Sequence, residues 1–136
     1  MIKSIAHVCL GAKDLKVAEG FFCGILGLKK QFLFKKNNRV IGFYLKVCDG
    51  NFIEIFQKDK VEKSDTHALR HFCLETRDID GLYRKLKEYG AEPTEKKLGA
   101  DGSWQIWATG PDGLAIEFHQ YTKNSSQMTG KECVLN

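Results

Sequence analysis

Residues 4–10 alternate along the chain, with Ile5, His7 and Cys9 on one side and Ala6, Val8 and Leu10 on the other. That is the two-residue period of a strand. After Asp14, a residue suited to cap a helix, the period lengthens. Ala18, Phe21, Phe22 and Ile25 form an apolar stripe at helical spacing, and Gly27 suits its C-terminal stop. Strands are predicted near 30–35, 39–48 and 51–57, the last two joined at the tight-turn pair Asp49-Gly50. The pattern then begins again. A strand is predicted over about 68–76, and Asp78 caps a helix whose inner face is Ile79, Leu82, Tyr83, Leu86 and Tyr89, with Gly90 as its stop. Strands near 94–98, 103–109 and 114–120 follow, with Pro111-Asp112-Gly113 as the last turn.

The second half is a copy of the first. IAHVCL (Ile5–Leu10) returns as LRHFCL (Leu69–Leu74), and DGNFIEIF (Asp49–Phe56) returns as DGLAIEFH (Asp112–His119). His7 and His71 are 64 apart, as are Asp14 and Asp78; Asp49 and Asp112 are 63 apart, as are Glu54 and Glu117. One offset kept to within a residue at four anchors marks an internal repeat. The expected fold is α+β: two tandem βαβββ modules forming a curved mixed sheet, a cradle with the helices outside. The modules are expected at 1–57 and 67–122 of a single domain over 1–122, joined by a polar linker at 58–66. The polar tail, 123–136, is expected to be ordered by a partner if at all.

Composition removes several classes. The 136 residues suffice for one core without staples, and no apolar run reaches the ~20 residues of a membrane span. The first ten residues lack the pattern of a secretory signal, so a cytoplasmic location and no membrane partner are expected. The net charge of +4 is interspersed. Its densest cluster, Lys29, Lys30, Lys35 and Lys36 around Phe32 and Phe34, reads as a solvated rim, so no nucleic-acid partner is expected. The five cysteines form no CxxC pair and are expected to be reduced. Cys133 to Asn136 match a prenylation box only superficially.

The chemistry lies in the repeat. Each copy carries a histidine on its first strand and a glutamate on its last. A carboxylate among Phe52, Ile53, Ile55 and Phe56, or between Ile116 and Phe118, is costly unless paired or bound to a metal. Alone, each of the four is better read as a satisfied structural group; together, at repeat-equivalent places, His7, Glu54, His71 and Glu117 point to one divalent ion. Two nitrogen and two oxygen donors suit Ni, Co or Zn, with Mn or Fe also possible. Remaining water positions would let a substrate's adjacent oxygens chelate the ion, which would act as a Lewis acid on an enolate-like intermediate. His67 and His71 have the i, i+4 spacing of a helical zinc pair but lack the intervening acid, and on a strand they stand ~13 Å apart. Cys9 and Cys73, two residues beyond each histidine, read as small buried hydrophobes. His119 either lines or fills the pocket. Trp104 and Trp107 point to opposite faces; core packing is the default for both, and one is a candidate substrate wall.

These motifs resemble the vicinal oxygen chelate superfamily (glyoxalases, bleomycin resistance proteins and dioxygenases) over residues 2–120, with GPDG-x-x-IE (Gly110–Glu117) the most specific stretch. The ligand set resembles that of bacterial glyoxalase I. The resemblance implies a homodimeric metal-dependent lyase or isomerase of lactoylglutathione lyase type, acting on a small-molecule substrate. It makes Glu117 the proton-shuttling base and Glu54 its counterpart across the ion. Two glutathione contacts of that group are missing: an arginine place holds Gly11 and an asparagine place holds Lys58, with Lys58 or Lys13 as a substitute cation. Lys58, Trp104 and His119 are the candidate substrate contacts. The alternatives are an epimerase or isomerase of another carbonyl, sugar or CoA-linked substrate, and a non-catalytic drug- or metabolite-binding protein.

Overall fold

The computed structural model describes residues 2–62 and 68–135. His67 and residues 63–66 of the expected linker lie outside the described residues, as do Met1 and Asn136. The chain divides into two compact units, Met1–Glu62 and Lys63–Asn136.

In the first unit, β1 (His7–Ala12), β2 (Lys29–Lys36), β3 (Arg39–Cys48) and β4 (Asn51–Gln57) form a four-stranded sheet in the order β1-β4-β3-β2. Strand β1 runs parallel to β4, and the other neighbours are antiparallel. The helix opens at Asp14, whose carboxylate accepts from the backbone N–H groups of Lys16 and Val17. It is α-helical only over α1 (Leu15–Glu19) and widens to a π-helix over Gly20–Ile25. The wider turn lets two consecutive residues, Phe21 and Phe22, both reach the core, which ordinary helical spacing does less well. Gly27, with φ +71°, ends it. Ala18, Phe21 and Phe22 are buried, as are Phe43, Leu45, Ile53 and Ile55, which share one face of the sheet. His7, Cys9, Tyr44 and Glu54 therefore stand on the other.

The second unit repeats the plan with β5 (Phe72–Glu75), α2 (Ile79–Tyr89), β6 (Lys97–Leu98), β7 (Trp104–Thr109) and β8 (Ala115–Gln120), ordered β5-β8-β7-β6. Asp78 caps α2 through Gly81 N–H, Gln120 Oε1 accepts from Ile79 N–H, and Gly90 (φ 81°) closes the helix. Ile79 and Leu86 are buried with Ile106, Ala108, Ile116 and Phe118, whereas Tyr89 of the expected inner face is exposed. The two βαβββ modules and their mixed sheets are those expected.

Several boundaries differ. Strand β1 starts at His7 rather than residue 4 and runs on to Ala12, following its pairing with Phe52–Gln57. Strand β5 pairs with β8 only over Phe72–Glu75, so His71 sits just before it. The expected strand at 94–98 shrinks to Lys97–Leu98, held back by Glu92 in a left-handed conformation (φ 45°) and by Pro93, which has no N–H to give. Part of the tail is docked on its own unit. Ser126 N–H donates to Asp101 O at 2.7 Å, the buried Ser125 hydroxyl meets Ser103 and Gly102, and α3 (Ser126–Thr129) follows. Polar composition concealed this because the docking is made by hydrogen bonds rather than apolar contacts.

Candidate metal centre

Each unit brings a histidine and a glutamate together on its helix-free face. In the first, His7 Nε2 lies 3.8 Å from Glu54 Oε2; the Glu54 side chain is 18% exposed and that of His7 42%. Strand register sets Glu54 between Cys9 and Tyr44. The Tyr44 hydroxyl is 3.2 Å from His7 Nδ1. If Nδ1 carries the proton and donates to Tyr44, the Nε2 lone pair is left facing the carboxylate, the arrangement a metal-ligating histidine needs. Tyr44 is itself fixed by stacking on Phe32 and Phe52, with ring centroids 4.6 and 5.0 Å away.

In the second unit His71 Nε2 lies 3.4 Å from Glu117 Oε2, and Glu117 is 13% exposed. Trp107 stands beside Glu117 in register and meets the His71 ring edge-on at 4.6 Å. Tyr44 and Trp107 are 63 apart, the offset of the two glutamates, and that spacing was the signal by which both could have been found. Trp104, the candidate substrate wall, is on the opposite, helix-side face, where Lys96 lies over its ring at 4.9 Å. The two tryptophans are three positions apart, an odd step along the strand, so only Trp107 shares a face with Glu117.

His119 is buried on the Glu117 face. Its Nε2 stands 2.9 Å from Glu117 Oε1, yet it is not aligned for a hydrogen bond and has no hydrogen-bond partner among the described residues. Its Nδ1 faces Asp101 Oδ2 at 3.8 Å. Burial alone would raise the Asp101 carboxyl. Hydrogen bonds from Gln127 and Ser103, with His119 nearby, hold it below the usual carboxylate range.

Cys9 and Cys73 are not the buried hydrophobes expected. Both are exposed, and each is the register partner of its unit's glutamate. Partial burial of the thiol and the neighbouring Glu54 push Cys9 up to about 11. Burial and Glu117 push Cys73 to about 12. Neither is a ready nucleophile at neutral pH. Lys58 follows β4, and its stem lies over Gly11, where an added Cβ would meet Lys58 Cγ at 3.1 Å. The two positions that depart from the glyoxalase I pattern are thus neighbours.

Comparison with known proteins agrees with this architecture. The family model described as Glyoxalase/Bleomycin resistance protein/Dioxygenase superfamily matches residues 4–118. A glyoxylase/bleomycin resistance protein/dioxygenase domain from Frankia sp. EAN1pec superposes with a TM-score of 0.78 at 18% identity, covering 93% of this chain and 97% of its own. The fosfomycin resistance protein FosX from Listeria monocytogenes gives 0.70 at 20% identity, with 90% and 96% covered. Lactoylglutathione lyase from Agrobacterium tumefaciens gives 0.64 at 18%, with 88% and 94% covered. No curated protein matches the sequence. Among the described residues, no helix is long and apolar enough to cross a membrane.

Proposed function

The chain belongs to the glyoxalase/bleomycin resistance protein/dioxygenase superfamily, whose members are commonly enzymes that bind a divalent metal and act on small molecules, and from that premise we propose that it is a metal-dependent lyase or isomerase of glyoxalase I type. The ligands would be His7, Glu54, His71 and Glu117. The observation that carries this reading is the repeated pair: an imidazole within 4 Å of a largely shielded carboxylate, twice, at repeat-equivalent positions. The donor set fits Ni, Co or Zn, and neither carboxylate has a lysine or arginine ion pair among the described residues to account for its shielding.

The bound ion would supply Lewis acidity to the oxygens of a carbonyl substrate. Glu117 is the base that takes a proton from one substrate carbon and returns it to its neighbour, with Glu54 the matching carboxylate of the other unit. Tyr44 and Trp107 hold the two imidazoles in place. Lys58, over Gly11, supplies the cation for an anionic end of the substrate. The protein is expected to work in the cytoplasm as a homodimer. Because the Gly11 and Lys58 positions do not reproduce the glutathione contacts of glyoxalase I, a carbonyl substrate carried on another thiol, such as a CoA ester, is the second reading.

Elemental analysis of untagged protein, wild type beside Glu117→Gln, tests the ligand set. Near-stoichiometric metal in the wild type and less in the variant is expected. With metal restored, isomerisation of hemithioacetals should fall by roughly 10²–10⁴-fold in the variant, the usual contribution of a positioned acid–base group. A wild type that neither contains nor takes up Ni, Co or Zn overturns the proposal.

A further inference from the structure

We propose that the second unit carries a metal site of its own, of zinc type, formed by Cys73 Sγ, Glu117 Oε1 and His119 Nε2. Each of the three residues offers a donor atom within 4.8 Å of one from each of the others, near enough to close around one small ion. Register places them together: Cys73 is the strand partner of Glu117, and His119 follows two residues along β8 on the same face.

The second observation is the state of His119. The residue is only 8% exposed, and its Nε2 is a buried polar atom without a hydrogen-bond partner among the described residues, though a carboxylate oxygen stands 2.9 Å away. An imidazole nitrogen and a carboxylate oxygen that approach without sharing a proton direct lone pairs into the same space. A cation there resolves the contact, and an orphaned nitrogen is otherwise costly to bury. Asp101 faces the opposite ring nitrogen at 3.8 Å and is held by Ser103 N–H, Gln105 Nε2 and Gln127 Nε2. A carboxylate thus stands on the side of the ring where metal-bound imidazoles usually have one, beyond hydrogen-bond distance.

The first unit provides an internal comparison. Cys9 and Glu54 match Cys73 and Glu117, but the place equivalent to His119, 63 residues earlier, is Phe56. The repeat therefore keeps the thiol and carboxylate twice and the third donor once. A sulfur, nitrogen and oxygen set with a fourth position open to water suits Zn²⁺, and Co²⁺ reports it. Binding breaks the Cys73 S–H bond, forms an S–metal bond and releases the proton to solvent. The site shares Glu117 with the four-ligand ion but uses its other oxygen, Oε1 rather than Oε2.

The test is titration of the chelator-stripped full chain with Co²⁺, read by near-ultraviolet thiolate-to-cobalt charge transfer. The band should appear in the wild type, survive in Cys9→Ser and His7→Ala, and vanish in Cys73→Ser. In His119→Gln, which keeps the buried volume, it should need higher cobalt to form. Circular dichroism confirms folding, and Cys73→Ala serves if the serine variant is unstable. Cobalt uptake without the band overturns this site while leaving the four-ligand reading intact; a band retained in His7→Ala without other cobalt uptake does the reverse. A band that persists in Cys73→Ser, or is lost with His7→Ala, overturns the independent site.

Discussion

Gly42 shows how single residues shape the helix-free face of the first sheet. It lies in β3 between Phe34 of β2 and Phe56 of β4, and those two rings meet with centroids 4.5 Å apart. A Cβ at Gly42 would come within 2.3 Å of the Ile55 carbonyl oxygen and 2.9 Å of Phe56 Cδ1. Backbone cannot yield as a side chain can. Gly42→Ala should therefore cost about 2 kcal/mol, in the range of overpacked cores, as a lowered denaturant midpoint with unchanged slope. Tyr44 acts through another residue. Tyr44→Phe removes the hydroxyl 3.2 Å from His7 Nδ1 but keeps the ring stack. Metal affinity should fall roughly tenfold or more while stability changes little; calorimetric titration with Ni²⁺ and a thermal melt separate the two.

At the scale of elements, the docked tail is the feature most open to test. Ser125 is fully buried, and its hydroxyl accepts from Thr122 N–H at 2.8 Å and reaches Gly102 O at 3.1 Å. Ser125→Ala leaves a backbone N–H without that acceptor and should destabilise the second unit by about 1–2 kcal/mol. Protease cleavage near residues 122–130 should accelerate with it. The elements most legible in the sequence were those with a two-sided environment. Asp14 and Asp78 announced both helices because capping is local, and the strands that pack on helices showed their alternation. The π-turn was hidden because Phe21 and Phe22 fit a helical stripe loosely either way. Length was hidden in β5 and β6, where pairing with a neighbouring strand sets the limits. The four His and Glu positions were legible from the repeat alone. The burial of His119 and the openness of Cys9 and Cys73 were not, since alternation assigns residues to faces without saying which face is covered.

The molecule as a whole repeats one plan in two compact units, each with its own buried apolar set and its own imidazole–carboxylate pair. The proposed function counts all four residues as metal ligands, and metal binding has a thermodynamic consequence. An ion that binds only the folded protein stabilises it by RT ln(1 + [M]/Kd), about 2.7 kcal/mol at a hundredfold excess over Kd. Ni²⁺ should therefore raise the melting temperature of the chelator-stripped wild type. Because His7 and His71 are both ligands under that proposal, His7→Ala and His71→Ala should each reduce that rise. The histidines themselves are 42% and 39% exposed, so neither substitution empties a core, and the metal-free melting temperatures should stay near that of the wild type. A shift that survives both His7→Ala and His71→Ala would place the stabilising ion in the second unit alone, with Cys73, Glu117 and His119 rather than the four-ligand set holding it.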